Sequence, residues 1–420
     1  MKSHTIKNSS SGIHGRHGDR IRLCYVITSP LTSRFLRGQL RYMQSHNYEV
    51  TLISAPGADL AWFKQTEDIE IITVPMEREI HLFRDIRALF QLYCVFRAIR
   101  PHIVNAGTPK AGLLALVAAF FARVPVRIYT VRGLRLETAT GIKRRILSLT
   151  ERVASACAQR VIAVSRSLAD EYLKLGLTAE AKLQVLAGGS SNGVKPSDFE
   201  PTPSRRTHAV ELRDRLGIAH SEPVIGFVGR LTRDKGIEDL VQAFLQLSHT
   251  LPQSWLILVG GVEKDDTLDE ATLDMVRKHP RIVSTGFVQD AAIYYHMMNV
   301  LAFPSYREGF PNAVLEAQAA GIPVVGYRAT GVVDAIADGI TGRLVPMGAS
   351  EDLAQALGEY LSCPELAVRH GAWGRHRVEH EFSNERVWNA LLEEYRELSE
   401  KMGLAISTRE TCPQIGTRAA

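Results

Sequence analysis

Two glutamates eight positions apart, Glu308 and Glu316, bracket the segment Gly309-Phe310-Pro311-Asn312-Ala313-Val314-Leu315. The apolar run Val300–Phe303 ahead of them reads as a buried strand, broken by Pro304 and Ser305, and Asn312 suits the cap of a helix ending near Gly321. Glu308 then belongs to the loop at the strand's carboxyl end, and Glu316 lies just past the first helical turn. The free amides between them make an anion site. Carboxylates on either side of such a site suit a ligand with phosphate in the middle and hydroxyls at both ends, the layout of a sugar nucleotide.

A second element lies upstream, Val224-Ile225-Gly226-Phe227-Val228-Gly229-Arg230-Leu231-Thr232-Arg233-Asp234-Lys235-Gly236. It reads as a strand running into a glycine and two spaced cations. Gly229 lets backbone approach a ligand closely, Arg230 can grip phosphate oxygens with two donors, and Lys235 adds a point charge.

In this order, the two elements resemble the donor site of the large retaining glycosyltransferase family 4, whose members have the two-domain GT-B fold. The resemblance runs over roughly residues 20 to 400. It takes in Ser191-Asn192-Gly193-Val194, Thr285-Gly286-Phe287-Val288, Ala329-Thr330-Gly331 and Asp338-Gly339-Ile340-Thr341-Gly342. The N-terminal half, especially Asn105–Gly112 and Tyr129–Arg135, is similar to bacterial capsular and exopolysaccharide members, which extend lipid-linked oligosaccharides. The resemblance assigns Glu308 and the amides of Gly309 and Phe310 to the donor sugar, with Pro311 and Asn312 in the same donor segment. It assigns Glu316 to the ribose hydroxyls, and Arg230 with Lys235, beside Gly229, to the diphosphate. UDP is the expected nucleotide, by family frequency.

Two features depart from the wider family. The glycine pair many relatives carry after the first strand is replaced by Thr28-Ser29-Pro30, and the histidine many place near the anomeric carbon is absent from Tyr129-Thr130-Val131-Arg132-Gly133. Thr28, Lys110 and Arg132 become the candidates for the acceptor side, the two cations to meet the diphosphate of a polyprenyl-diphosphate-linked saccharide. Structural loop residues are the alternative for each. No Asp-x-Asp occurs in the chain, so no metal-clamped donor site is expected and no cofactor beyond the nucleotide-sugar co-substrate.

Charge is divided unevenly. Residues 1 to 195 hold 28 Lys+Arg against 14 Asp+Glu, net +14, whereas the rest hold 22 against 31, net −9, consistent with +5 for the chain. So basic a half points to an anionic partner. Its arginines lie among apolar helical patterns and not in a nucleic-acid module, so a membrane surface is expected and nucleic acid is not. The strongest segments are 78–100 and 141–156, the latter opening on Lys143-Arg144-Arg145 beside Ile142, Ile146 and Leu149. Such helices can lie in a bilayer interface, or pack on a sheet with a solvated charged face. The longest apolar run, Leu113–Ala122, has ten residues, short of the roughly twenty a crossing needs. Five cysteines show neither paired nor metal-ligand spacing and read as reduced thiols of a cytoplasmic enzyme, here peripheral on the inner face of the cell membrane.

Strand and helix patterns alternate from Ile21 to Val164 and again from Val224 to about Tyr360, which implies two parallel, doubly wound α/β sheets. The expected organisation is an acceptor-binding domain over 20–188, a linker over 189–204, a nucleotide-sugar domain over 205–380, and a segment over 381–403 crossing back to the first domain. Tails at 1–19 and 404–420 are expected to be disordered. The main reading is a glycosyltransferase acting on a lipid-linked saccharide. The alternatives are a soluble GT-B enzyme with a small-molecule acceptor, a nucleotide-sugar 2-epimerase, and a non-catalytic basic module binding membrane or nucleic acid.

Overall fold

Short apolar runs such as Val224–Val228, Trp255–Val259 and Val300–Phe303, each too brief for a helix, become strands of two all-parallel sheets. The computed structural model describes residues 20–57, 59–77, 81–263 and 267–404. The expected tail over 1–19, and that over 404–420 apart from Leu404, lie outside the described residues.

The first sheet contains β1 (Ile21–Val26), β2 (Tyr48–Ser54), β3 (Glu70–Thr73), β4 (Ile103–Ala106), β5 (Val126–Val131), β6 (Arg160–Ala163) and β7 (Leu183–Gln184), in the order β3-β2-β1-β4-β5-β6-β7. The second contains β8 (Val224–Val228), β9 (Trp255–Val259), β10 (Ile282–Gly286), β11 (Val300–Phe303), β12 (Val324–Tyr327) and β13 (Gly342–Val345), in the order β10-β9-β8-β11-β12-β13. Strands covered on both faces favour apolar side chains, and β4 and β11 are buried throughout, the one polar side chain between them, Asn105, being hydrogen-bonded. Chain order reverses between β1 and β4 in one sheet and between β8 and β11 in the other. Ligands of open α/β sheets bind beyond the carboxyl ends of the strands at such a reversal. The GT-B architecture follows from these paired sheets.

The last helix, Asn384–Lys401, sends Leu391, Leu392, Tyr395 and Leu398 into the core of the first domain. Its attachment is also polar: the Tyr395 hydroxyl accepts from Asn105 Nδ2 at 2.7 Å and donates to the Tyr25 hydroxyl at 2.9 Å. Glu394, buried, pairs with Arg160 at 2.5 Å. Breaking one partner of so enclosed an ion pair costs several kcal/mol, roughly 3–5.

Some local expectations shift. In place of one helix over 34–45, Gly38, with φ +77 and close to the Trp388 ring, separates a 3-10 turn, Pro30–Leu36, from a helix, Gln39–Ser45. Asn312 does not cap its helix. Pro311 occupies the cap position of Asn312–Ala319, and no side chain bonds the first amides. Ser165 does cap the helix Arg166–Lys174, accepting from the Leu168 amide.

Candidate active site

The loops after β8 and β11 face each other across the reversal point of the second sheet, and they carry the residues singled out above. Gly236, with φ +68, lies so close to the Pro304 carbonyl that a Cβ would come within 2.1 Å of its oxygen. No side chain fits there, and this approach brings Lys235 to the β11 loop. Lys235 and Glu308 form a short ion pair, both largely shielded. Arg230 donates to Glu263 Oε2 at 2.7 Å and has Asp234 at 3.7 Å. Asp234 also accepts from Arg307 at 3.0 Å and from the Thr232 hydroxyl at 2.5 Å.

Glu316 projects from the second turn of the helix Asn312–Ala319, and its carboxylate accepts from the Tyr295 hydroxyl at 2.7 Å. Burial pushes its pKa up; the bond from Tyr295 works the other way. Gly229 closes β8 beside Gly260 and Gly286 at the ends of β9 and β10, a floor of backbone without side chains. Phe310 turns its ring away from this floor to pack on Gly189 and on Phe382, 5.1 Å between centroids. Its amide is what remains for a ligand.

The first domain closes on this loop. A Cβ on Gly309 would lie 2.3 Å from the Arg132 carbonyl oxygen, so only glycine allows the approach. Nearby, the Thr330 hydroxyl donates to Glu137 at 2.8 Å, and Asp334 accepts from the amides of Arg166 and Ser167 at 3.1 and 3.2 Å. A carboxylate at the N-terminus of a helix is stabilised by its free amides and dipole; here the carboxylate comes from the opposite domain. Arg34 spans the mouth, its guanidinium 4.9 Å from the Phe287 ring centre.

The three acceptor candidates have internal roles. The Thr28 hydroxyl accepts from the Ala111 amide at 3.1 Å and meets the Thr108 hydroxyl at 2.6 Å, so it caps the helix Pro109–Phe121 from another strand's loop. Lys110 pairs with Asp85 at 2.8 Å. Arg132 donates to the Gly107 carbonyl at 2.7 Å, with its Nε buried and without a partner, and desolvation lowers its pKa to about 10. In the fold all three are held by bonds within the first domain.

Lys143, Arg144 and Arg145 are all exposed on the helix Gly141–Cys157. This helix and Leu82–Ile99 both pack against Pro109–Phe121, yet each keeps an apolar stripe in solvent: Ile142, Ile146, Leu149 and Val153 on one, Phe83, Ile86 and Phe90 on the other. Phe83 is 87% exposed and Ile142 76%. No described helix is long and apolar enough to cross a membrane.

The sequence reading missed Glu263, Tyr295, Glu137 and Asp334. For Glu263 a signal existed, a carboxylate soon after a Gly-Gly that ends an apolar strand. The other three meet the site through contacts no local pattern encodes.

Residues 210–377 match the family model for glycosyl transferases group 1, and residues 32–189 match that for a glycosyl transferase 4-like domain. The chain is 36% identical over 373 residues to the capsular polysaccharide biosynthesis glycosyltransferase CapM of Staphylococcus aureus, covering 88% of this chain and 95% of that one. The chain belongs to glycosyltransferase family 4. As a family 4 glycosyltransferase it is also 25% identical over 349 residues to an Escherichia coli UDP-Gal:alpha-D-GlcNAc-diphosphoundecaprenol alpha-1,3-galactosyltransferase, covering 80% of this chain and 87% of that one. Anabaena HepE, solved in complex with UDP and glucose, shares the fold at TM-score 0.75 and 19% identity, over 90% of this chain and all of that one.

Proposed function

We propose that this glycosyltransferase moves a sugar, with retention of configuration, from a UDP-sugar to a polyprenyl-diphosphate-linked saccharide in capsule, exopolysaccharide or O-antigen synthesis, working from the inner face of the cell membrane. The observation that carries the donor side is the Lys235–Glu308 pair with Arg230 alongside, at the reversal point of the second sheet. Breaking the bond between the anomeric carbon and the diphosphate leaves negative charge on the departing oxygen and positive charge on the sugar. Arg230 and Lys235 answer the first and the Glu308 carboxylate the second, while Glu316 and the amides of Gly309 and Phe310 orient the donor. Prearranged donors aimed at developing charge contribute about 2.7–4 kcal/mol each. Two cations suffice for this role, so the reaction is proposed to need no metal.

The capsule assignment rests on the likeness to CapM, and the lipid-linked acceptor and UDP on that galactosyltransferase and the UDP complex of HepE. The exposed apolar stripes beside Lys143, Arg144 and Arg145 support the membrane face. Each basic residue near anionic lipid adds on the order of 1 kcal/mol. Lys110 and Arg132, the two cations expected to meet the acceptor's diphosphate, exchange their present bonds to Asp85 and to the Gly107 carbonyl when it binds.

The test is transfer by the purified full chain from radiolabelled UDP-, GDP- and dTDP-sugars to polyprenyl-diphosphate saccharide in anionic vesicles. Label in the lipid fraction, lost in Lys235→Ala, is the expected result. Transfer to a water-soluble acceptor with no requirement for lipid would favour the soluble alternative, and donor conversion without an acceptor would favour epimerisation.

A further inference from the structure

Among the described residues, three cations around the candidate donor site each pair with a carboxylate. Lys235 holds Glu308, Arg307 holds Asp234 at 3.0 Å, and Arg230 holds Glu263 at 2.7 Å. A diphosphate brings at least two negative charges beside three cations that are each already paired, so it gains most where a resident carboxylate gives way. The three acids differ in how easily they leave. Asp234 is largely shielded and tied to Thr232, Arg307 and Arg230 together. Glu308 stands on the loop that would turn to the sugar, which frees Lys235 within the same binding event. Glu263 follows β9 on a loop from the other side of the site, is 31% exposed against 13% for Asp234 and 15% for Glu308, and bonds only Arg230 among the described residues. It is also one of the charges that hold the Arg230 guanidinium above its usual pKa; burial alone would lower it.

We infer that Glu263 is a positioning residue that occupies the phosphate-facing side of Arg230 when the site is empty, is displaced by the donor's diphosphate, and returns to help expel the nucleoside diphosphate product. This rests on the donor-site reading proposed above. The displaced carboxylate swings into water, so no charge is left buried. Arg230 remains aimed at the site at all times, either by Glu263 or by the ligand, and so does not lose its geometry between turnovers.

Calorimetric titration with UDP at constant ionic strength tests this, on the full chain and on Glu263→Gln and Glu263→Ala. Both variants remove the competing charge, and Gln keeps the side chain's size. The expected result is UDP binding about threefold to tenfold tighter in both, with product inhibition by UDP strengthened by a similar factor relative to the donor's KM. In the Arg230→Ala background the same substitutions change nothing, because the cation they release is gone. A purely structural role for Glu263 would not tighten binding or depend on Arg230. Unchanged or weaker UDP binding in Glu263→Gln, with wild type binding normally, overturns the inference and leaves the donor site standing. Failure of the wild-type chain to bind any nucleoside diphosphate overturns both.

Discussion

Lys235 and Glu308, 73 positions apart in the chain, form a largely shielded ion pair across the crevice where β8 and β11 diverge. On the proposed reading, the pair joins the residue that meets the departing diphosphate with the one that meets the sugar. Lys235→Ala and Glu308→Gln are each expected to lower kcat by about 10²–10³. The double variant should lose less than the sum of the two in free energy, because each single change already leaves the other group unpaired. Steady-state kinetics of the four proteins measures this; additive losses would mean that the two residues act independently.

Gly309 tests domain closure separately from binding. Its Cα abuts the Arg132 carbonyl, and a methyl group would sit 2.3 Å from that oxygen. Gly309→Ala should hold the two domains apart at the reacting centre. The expected outcome is a loss of kcat of about tenfold or more with UDP affinity within a factor of about two, since misplacement by 1 Å costs up to 10²-fold in rate. Equal kcat in the variant would show that the contact does not form during turnover.

The apolar stripes on Leu82–Ile99 and Gly141–Cys157 predict lipid binding that needs both insertion and charge. Replacing Lys143, Arg144 and Arg145 with Gln should weaken binding to anionic vesicles by about 1 kcal/mol per residue and make the remainder less sensitive to salt. Replacing Phe83 and Phe90 with Ser should weaken binding to neutral and anionic vesicles alike. Vesicle co-sedimentation distinguishes the two, and no binding by wild type would remove the membrane from the account.

Glu151 is on the buried face of the basic helix Gly141–Cys157, accepting from the hydroxyls of Tyr129 at 2.9 Å and Tyr172 at 2.8 Å. Desolvation pushes its pKa from 4.5 to about 6, with both tyrosine bonds opposing the rise. The folded chain therefore holds this proton more tightly than the unfolded chain. The stabilisation is full below pH 4.5 and is lost as pH rises through about 6. The size is about 2 kcal/mol. Glu151→Gln should flatten this part of the stability–pH curve, which denaturant melts between pH 4.5 and 7.5 would show as a difference from wild type.

Metal dependence gives a further check. Because Arg230 and Lys235 are proposed to supply the positive charge at the leaving group, exhaustive chelation should leave transfer within about twofold of the untreated rate. A strict requirement for added Mg²⁺ or Mn²⁺ would contradict that assignment, since a divalent cation bridging the diphosphate would then carry the role.

What the sequence made legible was local or periodic. The apolar run Val300–Phe303 became a strand of that extent, and Glu308 and Glu316 fell on loop and helix because a proline break and a helical pattern separate them. The doubly wound sheets followed from alternation alone. Long-range bonds were not legible. Thr28 is a loop residue in the sequence, but in the fold its hydroxyl caps a helix that starts some 80 positions later. Lys110 looked free to meet a phosphate until the helix Leu82–Ile99 placed Asp85 against it. Asn312 had the chemistry of a cap, but Pro311 ahead of it already has the extended backbone that a cap position requires. Charge patterning showed that the first half was basic. Which helices leave apolar side chains in water depends on how their neighbours pack, and no single segment records that.

The most direct measurement is saturation-transfer NMR of the purified chain with UDP, GDP, dTDP and ADP sugars, alongside Lys235→Ala. The account predicts saturation of one nucleotide sugar, the UDP form, through both ribose and sugar protons, and its loss in Lys235→Ala. Absence of saturation for all four in a folded sample, or equal saturation in Lys235→Ala, would contradict a donor site at Arg230, Lys235 and Glu308.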